Sequence, residues 1–117
     1  MKNQRQIGGE YEQIAGRYLE SCGYQILEYN FRCHYGEVDI IAKHGEYVVF
    51  VEVKYRSSNK YGMPLEAITR RKQQTISKCA QVYLYRKHLG DAAVRFDVVG
   101  ILGDEIEVIQ NAFSFAG

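Results

Sequence analysis

A chain of 117 residues and 13.5 kDa is long enough for one domain with its own core and too short for two ordinary ones. With 46% hydrophobic and 25% charged residues it has a globular composition rather than that of a disordered chain, and no apolar run approaches a membrane span. The formal net charge of +1 gives no general attraction to nucleic acid, so any such role must come from a local excess of charge.

From Glu10 to Ser21, the residues Tyr11, Ile14, Ala15, Tyr18, Leu19 and Cys22 recur at helical spacing and make one apolar face. Glu12 lies beside that face, and Gly23 supplies the stop. Tyr24 to Arg32 reads as a strand, closed by a turn at His34-Tyr35-Gly36. Glu37 to Lys43 and Tyr47 to Tyr55 are the strongest strand pair and flank a tight connection at His44-Gly45-Glu46. A polar loop from Ser57 leads to Pro64, the chain's one proline, which suits the first turn of a helix. That helix is predicted from Leu65 to Lys87, with Ile68, Ile76, Cys79, Ala80, Tyr83 and Leu84 along its apolar stripe. Strands at Val94 to Leu102 and Glu105 to Gln110 follow, joined at Gly103-Asp104.

The expected fold is α/β: a single mixed five-stranded sheet with flanking helices, in the order αβββαββ. The first three strands form an antiparallel meander, and the second helix carries the chain across so that the strand around Phe96 runs parallel to Val48–Lys54. One domain is expected over 1–117, with flexible termini at 1–8 and 112–117. The basic start MKNQRQ runs into Gly8-Gly9 instead of a signal-type apolar stretch, so a cytoplasmic location is expected. Cys22, Cys33 and Cys79 lack metal-knuckle or redox-motif spacing and read as thiols filling core gaps. His34, His44 and His88 read as loop or surface residues. Asp97 in RFDVV, with Arg95 as its partner, reads either as a further acid near the sheet or, at least as well, as half of a structural ion pair.

Charge is unevenly distributed. Between Lys54 and Lys87 nine basic side chains face one acid, Glu66, whereas the remainder of the chain is net acidic. Arg56, Lys60, Arg70, Arg71 and Lys72 are the candidates for holding nucleic-acid phosphates, and Tyr55 or Tyr61 for stacking on bases. Tyr55 shares its strand parity with Val51 and Val53, which favours a core position.

The same parity argument locates a candidate site. In VVFVEVKY, Glu52 and Lys54 share one face. If Gly45-Glu46 is a two-residue turn, His44 pairs with Tyr47 and Asp39 comes opposite Glu52; a three-residue turn would reverse the parity. Two close carboxylates repel unless a cation or proton neutralises them. As hard oxygen ligands, Asp39 and Glu52 suit Mg²⁺ or Mn²⁺, with the Val53 backbone as a further oxygen source. Lys54 is expected to position phosphate and water rather than transfer a proton, because adjacent carboxylates stabilise its charged form. A plain ion pair on a half-exposed sheet is the competing reading.

The segments GGEYEQIAGRYLESCGYQILEYNFR, GEVDIIA, VFVEVKYR, GMPLEAITRRKQQTI and RFDVV resemble the uncharacterised YraN-type bacterial family. More distantly, the chain resembles Holliday-junction resolvases among the restriction-endonuclease-like nucleases. That resemblance implies an aspartate on one strand, then glutamate, one residue and lysine on the next, matched by Asp39, Glu52, Val53 and Lys54. It also implies a first-helix glutamate, matched by Glu12, with Gln73 or Gln74 and Glu37 as further polar candidates. The implied activity is metal-dependent hydrolysis of DNA, extending to branched DNA, by a homodimer. A nucleic-acid-binding module without efficient catalysis and a protein-interaction domain are the alternatives.

Overall fold

The computed structural model describes residues 4–56 and 68–116. Helix α1 (Gln4–Ser21) leads into strands β1 (Gln25–Cys33), β2 (Gly36–His44) and β3 (Tyr47–Arg56). Helix α2 (Arg70–Arg86) and strands β4 (Ala93–Leu102) and β5 (Glu105–Phe113) follow. The five strands lie side by side in chain order. Every neighbouring pair is antiparallel except β3–β4, where Phe50 sits beside Phe96 in a parallel ladder. Both the element order and the mixed sheet are those expected from the sequence. No helix among the described residues is long and apolar enough to cross a membrane.

The β2–β3 hairpin turns through Gly45-Glu46 with His44 opposite Tyr47. Gly45 has φ of 59°, the positive value that the first position of a type II′ hairpin turn requires. This two-residue turn sets the parity of β3. Val48 and Phe50 pack with Ile76, Cys79, Ala80, Tyr83 and Leu84 of α2. Val49 and Val51 pack on the opposite face with Ala15 and Leu19 of α1. The sheet is thus a filled middle layer, and β3 is buried on both sides, as its near-continuous apolar run demands.

Helix α2 starts later than predicted. Thr69, in an extended conformation, is its N-cap and accepts a hydrogen bond from the Lys72 amide at 3.0 Å. A threonine hydroxyl satisfies one of the helix's unpaired amides, and this sets the boundary at Arg70. Ile68 therefore precedes the helix, and Pro64 and Leu65 lie outside the described residues. Strand β5 runs past the predicted Gln110 because Phe113 pairs with Phe96 and stacks on its ring at 4.9 Å.

Candidate functional site

In a regular strand, residues two apart share a face. Strand β1 breaks this rule at Asn30, which takes φ of 54°. Tyr29 packs in the cluster on the α1 side, and Phe31 in the cluster on the α2 side. Strand β2 makes the same change between Ile40, on the α1 side, and Val38, on the α2 side. Because Tyr29↔Ile40 and Phe31↔Val38 keep one register, the two strands roll over together. Asparagine tolerates the left-handed conformation such a roll needs.

Asp39 sits at the roll, and the sheet opens there. The β2–β3 ladder runs from His44↔Tyr47 to Ile40↔Val51 and stops. Beyond it, β2 stays with β1 as far as Cys33↔Gly36, and β3 stays with β4 as far as Arg56↔Leu102. The Asp39 carboxylate reaches across the fork, and its Oδ2 accepts the Val53 amide at 2.8 Å. A side chain thus replaces the backbone partner that β3 has lost. Continuing the observed register puts Asp39 level with Glu52, as the two-residue turn requires.

The acids in this fork act on one another. Glu52 is 6% exposed. Burial first, and then the charge of Asp39, push its carboxyl up to about 8 from an ordinary 4.5, against the opposing pull of Lys72 and Lys54. Glu12, reaching in from α1, is pushed up to about 7 by burial and then by Asp39, and a contact from Asn30 opposes the shift. Its Oε1 is buried without a hydrogen-bond partner. Asp39 is the shared member, with Glu12 and Glu52 each responding to it. Among the described residues, no three His, Cys, Asp or Glu side chains are grouped to hold a metal ion.

Lys54 is half-buried on β3 and acts on Glu52 through its charge. Lys72 comes nearer than its place in a basic run suggested, with Nζ 3.7 Å from Glu52 Oε2. The Thr69 cap at the Lys72 amide fixes the first turn of α2 from which this side chain extends. Arg70 and Arg71 are exposed at the same end of α2, and Arg56 is exposed at the end of β3, beside the fork. Lys60 and Tyr61 lie outside the described residues. Tyr55 stacks on Tyr11 at 3.8 Å within the α1-side packing. Gln73 donates to the Ile68 carbonyl, and Glu37 pairs with Arg32 at 3.1 Å.

A second polar cluster lies on the α1 side of the sheet. Arg95 forms a two-pronged ion pair with the fully buried Asp97, at 2.9 and 2.8 Å. Asp97 also accepts from the Tyr24 hydroxyl at 2.6 Å and the Asn111 amide at 3.0 Å. The His44 ring stacks on Tyr24 at 4.1 Å, with Nδ1 2.9 Å from an Arg95 amino group. Since arginine only donates, Nδ1 here is the acceptor. His44 therefore belongs to this network and is not the simple loop residue expected. The Arg95 and Asp97 charges match, which makes the cluster a structural staple joining the residue before β1 to β2, β4 and β5.

The family model for the uncharacterised protein family UPF0102 matches residues 11–101. The chain belongs to that family. Those residues take in α1 from Tyr11 onward, the roll, Glu12, Asp39, Glu52 and Lys54, and α2. A UPF0102 protein of Syntrophus aciditrophicus is 50% identical over 109 residues, covering 90% of this chain and 86% of its own. One from Lachnoclostridium phytofermentans is 47% identical over 116 residues, covering 98% of each. One from Caldicellulosiruptor saccharolyticus is 44% identical over 117 residues, covering 95% of this chain and 99% of its own. This chain's fold and order of elements are consistent with the restriction-endonuclease-like class.

Proposed function

We propose that the fork is the active site of a divalent-metal-dependent nuclease that hydrolyses phosphodiester bonds in DNA. The observation that carries this reading is the concentration of acids at a break in the sheet. Glu12 and Glu52 are both driven toward their neutral forms by burial and by Asp39, and Oε1 of Glu12 has no partner. A fold has no structural need for three such groups where two strands part. Mg²⁺ usually keeps several waters and takes one or two carboxylates from the protein, so Asp39 and Glu52 suffice without a closed cage. A cation held there would supply positive charge to the phosphate oxygens and polarise a water.

The chain's own groups divide the remaining work. The Val53 amide fixes the orientation of the Asp39 carboxylate. Glu52 and Lys72 form a pair that a phosphate can open by drawing the ammonium to itself. Lys54 is placed to hold a nonbridging oxygen, and Glu12, titrating near 7, is suited to move a proton at neutral pH. Arg56 at the end of β3 and Arg70 and Arg71 in the first turn of α2 offer exposed guanidinium groups for flanking phosphates.

One observation favours a second reading. Lys72 already offsets Glu52 at 3.7 Å, so the fork can be neutralised without metal in a module that binds DNA and does not cut it. The deciding experiment offers labelled linear, nicked and four-way DNA to the full chain with Mg²⁺ or Mn²⁺, beside D39A and E52A. Metal-dependent cleavage lost in both variants supports the nuclease. Salt-sensitive binding without cleavage on any substrate supports the binding module.

A further inference from the structure

Two of the three thiols come together on the α2 side of the sheet. Cys33 ends β1 and Cys79 lies on the inner face of α2, with their sulfurs 3.4 Å apart. A disulfide needs about 2.05 Å, so a closure of about 1.4 Å joins them. The helix lies this close because Gly36, paired with Cys33, has no side chain. A Cβ there would come within 2.7 Å of Thr75 Cγ2, one helical turn before Cys79. Cys79 is fully buried, but Cys33 is only partly buried and lines an open cavity of about 390 Å³ with Arg32, Gly36 and Glu37. A small oxidant can therefore reach Cys33 and cannot reach Cys79. Cys22 is exposed and stands apart at the end of α1.

We propose that Cys33 and Cys79 are an oxidative modification site that a hydroperoxide converts to a reversible disulfide between β1 and α2. The Cys33 thiolate attacks the peroxide oxygen. A sulfur–oxygen bond forms, the oxygen–oxygen bond breaks, and the alcohol leaves with a proton. The Cys79 sulfur then attacks the resulting sulfenic acid. The sulfur–sulfur bond forms, the sulfur–oxygen bond breaks, and the hydroxyl group leaves as water with the Cys79 proton. In sum the two thiols give up two electrons and two protons, and the hydroperoxide is reduced to alcohol and water. Burial holds Cys79 protonated, up to about 12, which rules it out as the first attacker and makes its attack on the sulfenic acid the slow step; its place 3.4 Å from Cys33 is what makes it the resolving sulfur.

The test treats the full chain with cumene hydroperoxide, blocks the remaining thiols, and maps peptides without reduction. The expected product is an intramolecular link between the Cys33 and Cys79 peptides, with one blockable thiol remaining out of three and all three restored by dithiothreitol. C79S should leave Cys33 as a sulfenic or sulfinic acid with no link, whereas C22S should form the link as the wild type does. The proposal is overturned if the wild-type map shows three free thiols. It is equally overturned if the only products are Cys22-linked dimers or overoxidised Cys33. Because the wild-type map decides the matter, a variant that fails to fold does not rescue it.

Discussion

Raising the pH should weaken the metal-free protein, and replacing Glu52 with glutamine should remove most of that loss. Glu52 titrates at about 8 in the folded chain and near 4.5 when freed from its surroundings. Between those values the folded state holds a proton that the unfolded state has released. Folding then takes up a proton, so stability falls as pH rises through this window and levels off above about 8. Each pKa unit corresponds to roughly 1.4 kcal/mol. Since Glu52 and Asp39 share their repulsion, Glu52 accounts for a loss of about 2–3 kcal/mol between about pH 5 and about pH 8.5. Glu12, rising only to about 7, adds a smaller loss that is complete sooner. Urea unfolding in a chelator at both pH values measures these quantities directly. The reasoning fails if wild-type stability is flat or rises over this range, or if E52Q keeps the full wild-type slope.

Other substitutions separate the roles within the fork and beyond it. D39A removes the acceptor of the Val53 amide, whereas D39N keeps one. In urea unfolding at neutral pH, D39A should therefore be less stable than D39N by about 1–2 kcal/mol. R95A leaves the fully buried Asp97 without its cation. Calorimetry or denaturant unfolding should register a loss of about 3–5 kcal/mol. If Arg70 and Arg71 each neutralise one phosphate, the R70A/R71A double variant should bind DNA more weakly at every sequence. Its plot of log affinity against log salt should then be shallower by roughly two, as measured by fluorescence anisotropy.

Much of the fold is readable in the sequence because the local signals agree. Gly45-Glu46 fixes a two-residue turn, and its parity orders every side chain of β3 from Tyr47 to Tyr55, including Glu52 and Lys54. The roll at Asn30 was not readable. One asparagine in an alternating strand carries no sign that its neighbours will change faces. For the same reason, strand register alone could bring Asp39 level with Glu52 but could not show the fork or the Val53 amide that orients the carboxylate. The start of α2 is not where Pro64, the stronger signal in the sequence, points, because the Thr69 hydroxyl makes the cap. Lys72 looked like one member of a basic run, and only the cap's position brings it to Glu52. The links of Tyr24 and His44 to Arg95 and Asp97, and of Cys33 to Cys79, join residues far apart in the chain. No spacing rule reaches that far.

The central claim is that a divalent cation is bound jointly by Asp39 and Glu52, and calorimetric titration of Mn²⁺ into the full chain above about pH 8, where Glu52 is ionised, tests it most directly. The account predicts one saturable site in the wild type, at least tenfold weaker in D39N and in E52Q, with affinity falling as the pH drops below about 8. A wild-type chain that binds Mn²⁺ no better than the D39N/E52Q double variant would contradict it.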